Sequence, residues 1–217
     1  MAEPAIRVLI VDDHGVVADG LRFIVEAQPD MQVIDCIQDS REAVRCAADT
    51  RPDVVLMDHA MPVLNGTEAT RLIRKQCPQT HVIILSMYSN RVHVLHALQA
   101  GATGYVVKKS AAKEVVKAIR TVHKGGRFLS QELVDLVIDQ VLHKSDTDDI
   151  LERLSSRERQ VLQMLAEGRP IADIATTLSL SPKTVETYRA RMMEKLAIQD
   201  FAGLVRFAIQ HGIVTLE

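Results

Sequence analysis

Short apolar runs recur through the first half of the chain, each followed by a stretch long enough for a helix. Val8-Leu9-Ile10-Val11, Val33-Ile34-Asp35-Cys36-Ile37, Val54-Val55-Leu56-Met57, Val82-Ile83-Ile84-Leu85 and Tyr105-Val106-Val107 are rich in β-branched residues. Such runs read as strands buried on both faces, the pattern of a parallel sheet. Between them the apolar positions switch to helical spacing. Leu21, Ile24 and Val25 follow the first run, Ala43, Val44 and Ala47 the second, and Leu72 and Ile73 the third, where Pro78 stops the helix. Val92, Leu95, His96, Leu98 and Gln99 belong to a fourth helix. Val115, Val116, Ile119 and Val122 form the inner face of a fifth, which ends at Gly125-Gly126. Five strands alternating with five helices predict an α/β domain over residues 5–124, a (βα)5 doubly wound parallel sheet with right-handed crossovers.

Beyond Gly125 the pattern changes. Leu133, Val134, Leu136, Val137, Val141 and Leu142 predict one amphipathic helix, and His143-Lys144-Ser145-Asp146-Thr147-Asp148-Asp149 is polar and acidic, so 125–149 reads as a linker containing a helix. From 150 to 217 only short helices are expected. Ser155-Ser156-Arg157-Glu158 fits the Ser-x-x-Glu capping box ahead of Val161, Leu162 and Leu165. Ile171, Ile174, Ala175 and Leu178 mark a second helix. Ser181 caps a third, with Pro182 where a missing amide hydrogen does no harm. The tight Ser179-Leu180 turn between them predicts a helix-turn-helix within a small all-α domain, closed by a helix from Asp200 through Ala208.

Composition narrows the function classes. The 217 residues allow one large or two small domains, and 47% apolar content fits a globular chain. A formal net charge of −2 carries no bulk signature for nucleic acid or membrane, and no apolar run approaches spanning length. Cys36, Cys46 and Cys77 are odd in number and lack metal-ligand spacing, so reduced thiols and a cytoplasmic location are expected.

Chemistry gathers at the ends of the apolar runs. Asp12 and Asp13, Asp58, Ser86 and Lys108 each follow a predicted strand, and ligands of open parallel sheets bind outside the carboxyl ends of the strands. Three carboxylates, a hydroxyl and an ammonium are thus expected at one edge. Phosphoryl transfer to a carboxylate needs a nucleophilic Asp, a divalent cation and donors for the phosphoryl oxygens. Asp13 and Asp58, with Asp12 reaching through water, suit Mg2+ or Mn2+. Lys108 supplies a point charge and Ser86 a hydrogen bond. Holding several buried carboxylates together without a cation would be costly. His14 and His59 flank the acids and raise the prospect of zinc or a di-iron centre. Neighbouring strand-end side chains point apart, so both are expected to be exposed or to pack.

Asp12-Asp13, Asp58, Met61-Pro62, Asn65-Gly66, Ser86, Gly101-Ala102, Tyr105 and Lys108 together resemble the receiver domain of two-component response regulators. The resemblance implies a flavodoxin-like fold, Asp58 as phosphoacceptor, Asp12 and Asp13 as the metal-binding pair, and the Ala60 carbonyl as a further ligand. It also implies that Ser86 and Tyr105 rearrange on phosphorylation. Lys109 departs from the Pro that many receivers carry after the lysine. Ala60 and Tyr88 fall where receivers vary and tune dephosphorylation.

Leu154-Ser155-Ser156-Arg157-Glu158, Ala166-Glu167-Gly168, Ile174-Ala175, Ser181-Pro182-Lys183-Thr184-Val185-Glu186-Thr187-Tyr188-Arg189 and Lys195-Leu196 resemble the LuxR-type helix-turn-helix. The whole chain is thereby similar to NarL/FixJ-class response regulators. Under this resemblance Lys183, Thr184 and Arg189 contact DNA phosphates or bases, with Ser181 and Arg191 beside them. Glu186 and Thr187 face the major groove, and Tyr188 touches the backbone or packs. The final helix, with Leu204, Val205 and Ala208, is the candidate homodimer contact, and some of these residues must also serve internal packing. The implied function is a transcription factor switched by Mg-dependent phosphorylation of Asp58, from a sensor histidine kinase or a small phosphodonor. It would bind double-stranded DNA at promoter half-sites, with no membrane partner and no turnover beyond its own Asp58. The alternatives are a phosphorylation-independent transcription factor or adaptor, and an aspartyl-phosphate hydrolase. Hydrolases of that kind place Asp-x-Asp after the first strand, whereas Asp12 and Asp13 are adjacent here.

Overall fold

Strand alternation sorts each apolar run onto two faces. In β1 (Ile6–Val11), β3 (Val54–Asp58), β4 (His81–Ser86) and β5 (Gly104–Val107), successive side chains point to opposite sides of the sheet. Leu9, Val11, Val55, Met57, Val82, Ile84, Tyr105 and Val107 face α2 (Ser40–Thr50), α3 (Gly66–Gln76) and α4 (Arg91–Gln99) in one core. Val8, Ile10, Val54, Leu56, Ile83, Leu85 and Val106 face α1 (Gly15–Glu26) and α5 (Ala111–His123) in the other. The computed structural model describes residues 4–87, 91–134, 151 and 153–214. It divides into two compact units, Met1–Asp139 and Gln140–Glu217.

With β2 (Met31–Ile37) and β6 (Phe128–Leu129), the sheet has six parallel strands in the order β2-β1-β3-β4-β5-β6. Chain direction across the sheet reverses on either side of β1, opening a crevice at the carboxyl ends of β1 and β3. The sequence predicted five strands and departure into a linker after Gly125. Instead Phe128 N donates to Thr103 O at 3.1 Å and Ser130 N to Tyr105 O at 3.0 Å, and Leu133 is fully buried in the first core. Two residues are too few to show a period, so this edge strand was invisible in the pattern. Residues 131–134 open a helical turn. Leu136, Val137, Val141, Leu142, the acidic stretch 143–149 and Tyr88 lie outside the described residues.

The second unit contains α6 (Ser156–Ala166), α7 (Ile171–Leu178), α8 (Pro182–Lys195) and α9 (Phe201–Gln210). Ser155 closes the expected capping box: its amide donates to Glu158 Oε2 at 2.7 Å, and its hydroxyl accepts from Glu158 N at 3.3 Å. The Glu158 carboxylate also accepts from Lys195 Nζ at 2.8 Å, tying the end of α8 to the start of α6. Burial alone would raise the Glu158 pKa, but Lys195 and Ser155 outweigh it and hold the group below the ordinary glutamate range. A depressed folded-state pKa contributes stability above the unfolded value, which disappears as pH falls through the folded value. Glu158→Gln is therefore expected to destabilise this unit by about 1 kcal/mol at neutral pH. In urea melts, the deficit against wild type should vanish in acid.

The final helix divides between the two roles expected of it. Leu204 and Ala208 are fully buried inside this unit, where α9 packs on α6, so neither is available as a dimer contact. Helical spacing identifies an apolar stripe but not whether the stripe is spent on the domain's own core; of the three, only Val205 keeps partial exposure.

Candidate functional site

Asp12 and Asp58 stand at the carboxyl ends of β1 and β3, on the two sides of the crevice, and both side chains are buried. Lys108, in the turn after β5, reaches between them. Its Nζ lies 2.7 Å from Asp12 Oδ2 and 3.0 Å from Asp58 Oδ2. Burial works against the ammonium, yet the two carboxylates outweigh it and raise the Lys108 pKa, so the group stays charged. Asp58 shifts upward, because burial and Asp12 disfavour its ionisation more than Lys108 favours it. The Lys108–Lys109 bond is trans, as is every peptide bond among the described residues.

Asp13 completes the acidic group. Ligand atoms of Asp12, Asp13, His14 and Asp58 all lie within 4.8 Å of one another. Asp12 Oδ1 accepts from His14 N at 2.9 Å, and the exposed His14 ring sits 2.8 Å from Asp13 Oδ1. His14 is exposed, as expected, but its ring does not diverge from Asp13, since β1 ends at Val11 and residues 12–14 are irregular backbone without strand alternation. Asp13 Oδ1 and Asp58 Oδ2 are buried yet make no hydrogen bond; the Lys108 contact with Asp58 is an ion pair only. Carboxylate oxygens with spare lone pairs, beside an open turn, are the donor set a hard divalent cation takes together with water. The residues present thus fit Mg2+ or Mn2+. Ala60 is exposed, and its amide lies 3.4 Å from Asp58 Oδ1.

The loop after β3 sets this geometry. Leu64 N donates to Pro62 O at 2.8 Å, closing a three-residue turn around Val63 at φ 70°. A β-branched residue there costs about 1–3 kcal/mol, which the surrounding packing must offset. The turn brings the first residue of α3 back onto the strand end, and Gly66 N donates to His59 O at 3.0 Å. A Cβ at Gly66 would stand 2.0 Å from the Asp58 carbonyl oxygen, so no other residue fits this approach. Asn65 caps α3 by accepting from Glu68 N at 2.9 Å.

Ser86 and Tyr105 meet beside the crevice. The Tyr105 ring is fully buried, its pKa is pushed up to about 12 by burial, and its hydroxyl hydrogen-bonds Ser86. His59 packs, as expected, but with a partner the sequence did not suggest: its Nε2 is 2.8 Å from His93 Nδ1 on α4. Burial, reinforced by His93, lowers the His59 pKa to about 3 and keeps the ring neutral. Only the tertiary fold could reveal this pair, as the two residues are 34 apart in the chain.

In the second unit, Ser181, Lys183, Thr184, Thr187, Tyr188 and Arg191 line one open depression at the start of α8. Glu186 and Arg189 are exposed but outside it, because their positions fall on the adjacent face of the helix. Val185 and Met192 anchor the opposite face in the core. Ser181 accepts from Thr184 N at 3.1 Å, and Thr187 donates to Lys183 O at 2.9 Å. The tight turn before α8 is made by Ser179 at φ 55°.

A doubly wound sheet with an acidic crevice bridged by lysine, followed by a helix-turn-helix unit, defines a regulatory receiver joined to a DNA-binding module. Residues 8–120 match the response regulator receiver domain family, and residues 152–208 match the luxR family of bacterial regulatory proteins. The chain is 36% identical over 212 residues to the response regulator UvrY of Escherichia coli K12. It is 35% identical over 212 residues to the transcriptional regulatory protein MctR of Rhizobium johnstonii. Both alignments cover 98% of this chain and 97% of the relative. A solved complex of the response regulator RcsB with DNA superposes with a TM-score of 0.59 at 26% identity, over 95% of this chain and 98% of that one. The protein belongs to the response regulators that carry a receiver domain and a LuxR-type DNA-binding domain, and is a transcription factor.

Proposed function

We propose that phosphorylation of Asp58 switches the DNA binding of this transcription factor. Residues 5–124 would act as the receiver, extended by edge strand β6 at the root of the connecting segment 125–149, and 150–217 as the DNA-binding domain. The observation that carries the reading is the Lys108 bridge between Asp12 and Asp58 at the strand-order reversal, beside carboxylate oxygens that lack hydrogen bonds. Asp58 is the acceptor, since its carboxylate faces the acidic pair across the crevice with the Lys108 ammonium beside both. Asp12, Asp13, Asp58 and the Ala60 carbonyl would hold magnesium, whose charge would favour the ionised carboxylates and screen the incoming phosphoryl group. Lys108 would follow the phosphoryl oxygens, and Ser86, now bonded to Tyr105, would turn to donate to them.

A sensor histidine kinase or a small phosphodonor would supply the phosphoryl group. In the second unit, the Ser181–Arg191 face would meet DNA. Lys183 and Arg191 would neutralise phosphates, Thr184, Thr187 and Tyr188 would settle against the backbone or groove, and Glu186 and Arg189 would read bases from the adjoining face. One such unit neutralises few phosphates, so paired binding as a homodimer on half-sites would supply affinity. RcsB has been solved on DNA, which supports this surface by analogy.

The test is direct. Acetyl phosphate with magnesium should add one phosphoryl mass increment to the intact chain, and EDTA should suppress it. Oligonucleotides selected from a random pool should then bind at least about tenfold more tightly after phosphorylation. Equal affinity with and without the phosphoryl group would favour the phosphorylation-independent alternative. Absence of covalent phosphoryl gain would remove the proposal.

A further inference from the structure

β5 carries Tyr105 and presents Lys108, and its outer edge is bonded to the root of the connecting segment. Tyr105 pairs in register with Leu129, and Tyr105 O accepts from Ser130 N at 3.0 Å. The side chain of Ser130, the residue after Leu129, is buried and satisfied on both sides: it accepts from Val107 N at 3.0 Å and donates to Glu114 Oε2 on α5. Glu114 Oε2 also accepts from Ser110, at 2.8 Å, at the end of the Lys108–Ser110 turn. Leu133 lies just beyond, fully buried, and its amide donates a hydrogen bond to Ser130 O at 2.8 Å.

Ser110 is the movable part. Its hydroxyl has one hydrogen, and the nearest acceptors are Glu114 Oε2 at 2.8 Å and Val107 O at 3.0 Å, with Ser130 Oγ farther off at 3.4 Å. Rotation about one side-chain bond moves that hydrogen from the carboxylate to the carbonyl, so Glu114 loses one of its two serine tethers and its hold on Ser130 loosens. The same short turn holds Lys108, whose ammonium bridges Asp12 and Asp58. A displacement of the Lys108 backbone toward a new anion on Asp58 would be passed to Ser110, two residues on in the same turn. A charged acceptor shared by two serines is thus a two-state element that the crevice can bias.

We infer that Ser110, Glu114 and Ser130 form a clasp that couples the Lys108 turn to residues 128–134. Glu114 and Ser130 are positioning residues in this device, acting on the start of the connecting segment and not on the phosphoryl group. The inference rests on the phosphorylation reading above. It goes further by naming the route by which a change at Asp58 leaves the receiver: along the β5 edge and through one carboxylate, without passing through α4.

Hydrogen exchange on the full chain tests it, with acetyl phosphate and magnesium as the phosphorylating mixture and intact mass as the measure of phosphoryl gain. In wild type, phosphorylation should speed exchange of the 128–134 amides at least about fivefold. Ser130→Ala should exchange fast already without phosphate and respond less than about twofold. Glu114→Ala, a change at a half-buried position that leaves β6 intact, should reproduce that behaviour. Glu114→Gln keeps one acceptor oxygen and should fall between it and wild type. All three variants should gain the phosphoryl group at rates within about twofold of wild type, since none touches the crevice. Unchanged wild-type protection after full phosphorylation would overturn the clasp, as would a Glu114→Ala chain that responds like wild type. A variant that loses phosphoryl gain would overturn it too, by placing the clasp within the reacting site. A wild-type chain that gains no phosphoryl group at all is a separate result, and it defeats the functional reading on which the clasp rests.

Discussion

Asp58→Asn should reduce phosphoryl gain from acetyl phosphate and magnesium by roughly a thousandfold or more, because no other group can replace a covalent nucleophile. Asp12 is the nearest rival, yet its Oδ2 is held by Lys108 at 2.7 Å and its Oδ1 by the His14 amide at 2.9 Å. Asp58 Oδ2 has an ion pair but no hydrogen bond, so under the proposal it would be the attacking oxygen. Stability should move the other way. Burial and Asp12 oppose the charge on Asp58, and Lys108 keeps its bond to Asp12 when Asp58 is neutralised. The thermal midpoint of the Asn variant should therefore equal or exceed that of wild type. Phosphoryl gain at the wild-type rate would show that the acceptor lies elsewhere. A lower midpoint would show that Asp58 is a structural partner of Lys108 rather than a tolerated charge.

Gly66→Ala should be among the most damaging single changes in the first unit, at about 3–5 kcal/mol. Two effects oppose each other at this position. Helix propensity and a less flexible unfolded chain favour alanine by up to about 1 kcal/mol at the first residue of a helix. Against them, the added Cβ would lie 2.0 Å from the Asp58 carbonyl oxygen, 2.9 Å from its carbon and 3.0 Å from His59 Cα. All three atoms are backbone, so no rotamer change relieves the overlap, and the α3 terminus must lift off the strand. That movement also breaks the Gly66 N bond to His59 O and disturbs the Asp58 carboxylate above it. Urea unfolding should show the loss, and phosphoryl gain should fall with it. The sign alone decides the matter, since a variant as stable as wild type would mean that local propensity outweighs the close approach.

Much of this fold was legible in the chain because burial on both faces leaves a recognisable run of β-branched residues. The order of strands was not. Adjacency of β1 to β3 places Asp12 and Asp13 opposite Asp58, and only pairing across the sheet determines it. β6 escaped notice because two residues carry no period, and their pairing depends on the free edge that β5 offers. Which of Leu204, Val205 and Ala208 pack inside the domain was not legible, because apolar spacing is the same for a core face and a contact face. His14 turned toward Asp13 because the strand had already ended.

The sequence by itself determined the residue types at each strand end, the capping of the helices, and the likeness to receiver and LuxR-type families. Those are local properties, written in composition, spacing and motif. Tertiary structure alone decided that Lys108 bridges Asp12 and Asp58, that Gly66 must be bare to let α3 close on the strand, that His59 pairs with His93, and that Ser130 is clasped by Glu114. Each joins groups far apart in the chain, or backbone atoms whose approach no residue pattern records. Their energies depend on burial and distance, which exist only once the sheet has formed.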